Sequence, residues 1–271
     1  MNCLCDLLQI QHEGVRKRAT NCIGQFAIIL SNKQLQHLMT ILIDRLKRST
    51  TNRHDLLVQI QCISNIARTV GNKLSTNFSQ LLPILQTYPS SLDEDQSKDL
   101  ENEISEAALI AIENLIRKCS NEAKQSIKTI FNLSKHCLVY DPNYHYNSDE
   151  EEQDENMEDA EEGWGSDFYD DEQDDDDDTA WKVRKSAIKI IDAIIVSCPI
   201  QLKEYWTPFM DLLSKRFVER DDNVKVEILE TFQTLIKASM KVEEEGMGGQ
   251  GFGIEMKKQR SYAENISNIY P

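Results

Sequence analysis

Between Trp181 and Cys198 the apolar residues Val183, Ala187, Ile188, Ile191, Ile194 and Ile195 fall on one face of a 3.6-residue period, with Lys182, Lys185, Lys189 and Asp192 opposite. That spacing predicts an amphipathic helix. A shift of 41 residues reproduces the stripe as Val224, Ile228, Leu229, Phe232, Leu235 and Ile236. The same template fits Val15, Ala19, Thr20, Ile23, Phe26 and Ala27, then Val58, Cys62, Ile63, Ile66 and Val70, then Ile104, Ala108, Leu109, Ile112, Leu115 and Ile116. From the first position of each copy to the next, the spacings are 43, 46, 79 and 41 residues. Other stripes predict a helix preceding the copy, as in Leu35, Leu38, Met39, Leu42 and Leu46, and again in Leu202, Tyr205, Trp206, Phe209 and Leu213. Two helices per unit of roughly 40 to 47 residues is the HEAT or armadillo period, and paired helices favour HEAT. The expected fold is therefore all-α, a HEAT-repeat α-solenoid whose units stack because none can bury its apolar face alone.

The 79-residue interval contains an acidic run. Of the 46 Asp and Glu residues, 19 lie between Ser148 and Asp178, where there is no Lys or Arg. Removing those 31 residues restores the period, so the run reads as an insertion within one repeat, and its composition predicts disorder. The remainder is nearly neutral. The expected organisation is HEAT repeats over 1–147 with the first truncated, the insertion over 148–178, and repeats resuming over 179–240. A Gly-rich linker and the start of an incomplete repeat fill 241–271, with five of the ten glycines between Gly246 and Gly253. Trp164, Phe168 and Tyr169 interrupt the acids, leaving open an aromatic anchor for a basic partner or a solvated loop.

Seven scattered cysteines without CxxC spacing, most on the apolar helical phase, predict buried free thiols in a reducing compartment. With no apolar run of about 18 residues and no basic-then-apolar N-terminus, a soluble, intracellular protein is expected. No EF-hand framing, nucleophile–base motif or workable metal cluster appears; His136, Cys137 and His145 are the nearest approach to one. No catalysis, cofactor or metal is expected. Basic residues crowd the first turns of several second helices: Arg16, Lys17 and Arg18, then Lys182, Arg184 and Lys185, then Lys225. Positive charge there opposes the helix dipole by a few tenths of a kcal/mol, about 0.3 or more. Two roles remain open: inter-repeat ladders with acidic neighbours, or a basic strip facing a partner.

Tyr140-Asp141-Pro142-Asn143-Tyr144, the acidic run, and re-entry at Trp181-Lys182-Val183-Arg184 together resemble the cullin-associated and neddylation-dissociated protein family. Val15-Arg16-Lys17-Arg18 and Gln61-Cys62-Ile63 also match, and the resemblance runs to about Ala238; the Gly-rich tail departs from it. The resemblance implies part of the N-terminal arch of a long HEAT solenoid that wraps a cullin bound to its RING-box subunit. Such solenoids promote exchange of substrate-receptor modules on cullin-RING ubiquitin ligases. It further implies a monomer, cytoplasmic and nuclear, with no nucleic-acid or membrane partner and no catalytic residue. The competing reading from composition is an acidic HEAT scaffold serving as histone chaperone or nuclear transport adaptor.

Overall fold

The computed structural model describes residues 6–10, 12–48, 52–92, 99–142 and 179–244. Among the described residues there are nine helices of 13 residues or more and no strand. They are α1 (Glu13–Ile29), α2 (Asn32–Arg48), α3 (Arg53–Val70), α4 (Ser75–Ser90), α5 (Asp99–Lys118), α6 (Ile127–Val139), α7 (Ala180–Ser197), α8 (Leu202–Lys215) and α9 (Asp222–Glu244). Local sequence sets several boundaries. Ser31 and Gln34 form a reciprocal capping box before α2, the Ser31 amide donating to Gln34 Oε1 at 3.0 Å and the Gln34 amide to Ser31 Oγ at 3.4 Å. Gly71, at φ 65°, ends α3 in a conformation that a side chain would strain. Asp221 accepts from the amides of Asn223 and Val224 at 2.8 and 3.2 Å, satisfying donors at the start of α9.

The odd-numbered helices form one layer, each packed along the next, and every even-numbered helix packs against the odd one that follows it. The chain is thus an all-α solenoid of helix pairs. The repeated stripes face the seam between layers: Ile104, Ile112, Val183, Ile191, Leu35 and Phe209 are all wholly buried. In the even layer, Phe131 of α6 meets Tyr205 and Phe209 of α8 edge-on, with ring centroids 6.0 and 5.1 Å apart. Gly24 lets α1 approach α3 closely, since a Cβ there would lie 3.2 Å from that of Asn65.

Two stripe residues depart from expectation. Val15 is 36% exposed and Leu229 is 51% exposed, because α1 and α9 each have an odd-layer neighbour on one side only among the described residues. Leu7–Gln9 forms a short 3-10 turn whose Leu8 is buried. Cys62, Cys119, Cys137 and Cys198 are buried free thiols, but Cys22 is exposed on α1. Burial pushes the Cys137 thiol up to about 12 and Cys119 to about 11, which keeps both protonated and inert. The acidic insertion, the Gly-rich tail, Cys3 and Cys5 lie outside the described residues.

Candidate partner-binding surface

Because the odd helices stack in the same sense, their first turns lie side by side and leave a groove of about 670 Å³. Arg16 and Lys17 of α1 stand at one end and Lys182 of α7 at the other, with His54 of α3 and the carboxylates Glu103 and Glu106 of α5 between them. Burial raises the Glu106 carboxyl above its ordinary value; Lys182 opposes the shift, Glu103 adds to it and Lys189 opposes it. Lys182 extends its ammonium 5.8 Å from the Trp181 ring centroid. The groove offers alternating positive and negative contacts, suited to a polar protein surface.

Polar rungs join successive odd helices. Asn65 Nδ2 donates to Asn21 at 3.1 Å, Asn114 Nδ2 to Ser64 at 3.1 Å, and Arg117 pairs with both Glu113 and Asp192 at 2.8 Å. Arg53 pairs with Glu101, and Lys189 approaches Glu227 at 3.9 Å. Lys185 also lies in the electrostatic field of Glu227, whose carboxyl burial pushes up.

The seven basic residues are divided between these ladders and the groove or surface. Lys17 and Arg18 are exposed, while Arg16 donates to the Ile10 carbonyl at 2.9 Å. Lys182 lines the groove, and Lys225 pairs with Asp222 at 3.0 Å within its own first turn. Arg184 is 1% exposed and unavailable to a partner. Its guanidinium donates to the Tyr140 carbonyl at 3.1 Å and pairs with Glu219 at 3.2 Å and Asp141 at 3.6 Å. Arg220 shares the Asp141 carboxylate. Tyr140 donates its hydroxyl to Asn102 Oδ1 at 2.9 Å, and Asn102 donates to Thr179 Oγ1 at 2.9 Å. Thr179 in turn donates to Asp99 at 3.1 Å.

Tyr140, Asp141 and Arg184 of the family motif thus serve contacts between described elements, and Trp181 lies partly buried against the core. Pro142 ends the described stretch; Asn143 and Tyr144 lie outside it. Sequence reasoning missed Asn102, Glu219 and the groove carboxylates. Asn102 had a signal, as a polar residue two positions before Ile104 within a largely buried helix.

No family model matches the chain. Mouse "Cullin-associated NEDD8-dissociated protein 2" is 32% identical over 239 residues, covering 88% of this chain and 18% of its own length. Arabidopsis thaliana "Cullin-associated NEDD8-dissociated protein 1" is 30% identical over 237 residues, 88% of this chain and 19% of its own length. The chain is a homologue of part of the cullin-associated NEDD8-dissociated proteins. It spans about a fifth of the length of these relatives. A further relative, from Emericella nidulans and named "Cullin-associated NEDD8-dissociated protein 1, C-terminal part", is 27% identical over 169 residues, covering 53% of this chain and 16% of its own length. Among the described residues, no group of three His, Cys, Asp or Glu side chains is placed to hold a metal, and no helix is long and apolar enough to cross a membrane. In this homologue of the cullin-associated NEDD8-dissociated proteins, the groove on the odd layer presents both signs of charge.

Proposed function

We propose that this chain is a non-catalytic scaffold that docks on a cullin bound to its RING-box subunit and contributes to exchange of substrate-receptor modules on cullin-RING ubiquitin ligases. The observation that carries the proposal is similarity over 88% of the chain to proteins named for cullin association. The groove supports it by presenting Arg16, Lys17 and Lys182 beside Glu103 and Glu106 without a catalytic constellation. The chain acts as a monomer in cytoplasm and nucleus, and its recognition is of protein, with neither nucleic acid nor membrane required. One relative carries "C-terminal part" in its name, so the proposal rests on partial coverage of the relatives rather than on an N-terminal placement.

Partial coverage also sets the expected strength. Linked contacts raise avidity by about 10² to 10⁴-fold over single ones, so this chain binds more weakly than a full-length relative and does not alone expel a substrate-receptor adaptor. The test is size-exclusion chromatography of the chain with an unmodified cullin–RING-box complex, at low and at raised salt. A complex that weakens with salt is expected, as exposed charges are screened. Absence of a complex at low salt and high concentration would remove the proposal's main support. Retention of histones with no retention of cullin would favour the chaperone reading.

A further inference from the structure

The parts ending at Pro142 and beginning at Thr179 meet through a set of specific noncovalent contacts. Asp99 and Asn102 meet Thr179; the Tyr140 carbonyl and Asp141 meet Arg184; Asp141 also meets Arg220. Arg117 meets Asp192, and the Cys198 thiol lies 3.6 Å from the Ser120 carbonyl. Beneath these polar contacts, α5 and α6 both pack along α7, and Phe131 stacks edge-on to rings of α8. Every one of these contacts joins a residue before the acidic segment to one after it.

We infer that the covalent link through 143–178 is not what holds the array together: the part ending at Pro142 and the part beginning at Thr179 recognise each other through a buried, charge-specific interface centred on Arg184. A tether supplies effective concentration, commonly millimolar for short flexible links, and an interface of this kind makes that supply unnecessary at micromolar concentration. Arg184 provides the specificity. Across the interface its guanidinium donates to the Tyr140 carbonyl at 3.1 Å and lies 3.6 Å from Asp141, which Arg220 also reaches, while Glu219 of its own part holds the guanidinium in place. Removing one member of a buried pair is far more costly than the pair is worth, since the other charge stays buried. The inference concerns the chain's own two parts and holds whatever partner the groove meets.

The test inserts a site for a sequence-specific protease, flanked by Gly and Ser, between Ser148 and Asp178 of the full chain and cuts it under native conditions. The expected result is two fragments on a denaturing gel that elute as one species at micromolar concentration, with the helical circular dichroism of the uncut chain. Separate elution would overturn the inference. So would resistance of the site to the protease, because the inference requires that segment to be separable from the fold. In Arg184→Met, the uncut chain is expected to retain its helix content through its tether, while the nicked halves associate about 10² to 10³-fold more weakly. Should that variant fail to fold uncut, Asp141→Asn removes the charge that meets Arg184 and Arg220 from the other part and perturbs the same cluster more mildly. Nicked variants that associate as tightly as nicked wild type would show that apolar packing alone makes the match and would refute the role given to Arg184.

Discussion

Helices α7 and α9 carry the same stripe 41 residues apart, yet they are buried to different degrees. Ile188 and Ile191 of α7 are inaccessible; their counterparts on α9 are Leu229, half exposed, and Phe232, partly buried against Phe217 at a centroid separation of 5.1 Å. The difference lies in their neighbours. Helix α7 is flanked by α5 and α9 within its layer and by α6 behind, whereas among the described residues α9 has α7 on one side and α8 behind. A stripe in a stacked array therefore records the phase of a helix, and the number of adjoining helices determines how much of the stripe leaves solvent. Stability is correspondingly uneven along such an array, being close to a sum of nearest-neighbour terms.

The widest gap is expected from one substitution placed at both counterparts. Ile188→Ser should cost about 4 kcal/mol through lost apolar burial, a cavity and a buried hydroxyl. Leu229→Ser should stay within about 0.5 kcal/mol, as for surface changes generally. Equal costs in urea unfolding would mean that the exposed face of α9 is covered in solution. Next, Ile191→Ala is expected to cost about 2 to 5 kcal/mol and to raise hydrogen exchange first in α5, α7 and α9, while Phe232→Ala costs less than the roughly 3 to 5 kcal/mol of a fully buried phenylalanine. Exchange rising evenly along the chain would indicate a single core without nearest-neighbour character. Tyr140→Phe removes a buried donor to Asn102 and should lower stability by about 1 to 3 kcal/mol, with no change in the exposure of α9. An unchanged melting temperature would show that this network contributes nothing.

The smallest effect is one of pH. Burial raises the Glu106 carboxyl on α5 and the Glu227 carboxyl on α9, so the folded state holds protons more tightly than the unfolded state does. The unfavourable contribution is absent below the ordinary value of 4.5 and grows as pH rises through the higher folded-state value. Glu106→Gln should therefore gain thermal stability relative to wild type as pH is raised from about 4.5 toward neutrality. A difference that is flat with pH would place Glu106 in contact with water.

Much of this architecture was legible because the 3.6-residue period is imposed by the backbone and survives divergence of individual residues. Helix pairing followed from two stripes per unit. For Arg184, charge in a first turn left a partner-facing strip and a ladder with acidic neighbours both open, and burial against Asp141 and Glu219 excludes the strip. Its position signalled that burial: three, four and seven residues before Ala187, Ile188 and Ile191, it lies on the buried phase, whereas Lys182, Lys185 and Lys189 do not. What periodicity could not supply was the partner, since Glu219 and Asp141 reach Arg184 from turns whose course depends on the packed helices. The groove was illegible for a similar reason. Arg16, His54, Glu106 and Lys182 belong to four different repeats, and only stacking brings them together.

The rungs between odd helices restrict the order in which these units can be joined. An apolar seam alone would accept many neighbours, so a duplicated or transposed unit would find somewhere to pack. Arg117 beside Asp192, Arg53 beside Glu101 and the amide pair Asn21–Asn65 are each a different lock. Moving a unit by one place would set a cation or an amide against a side chain that cannot answer it. Growth or loss of units by recombination is therefore tolerated best where whole runs of matched neighbours travel together.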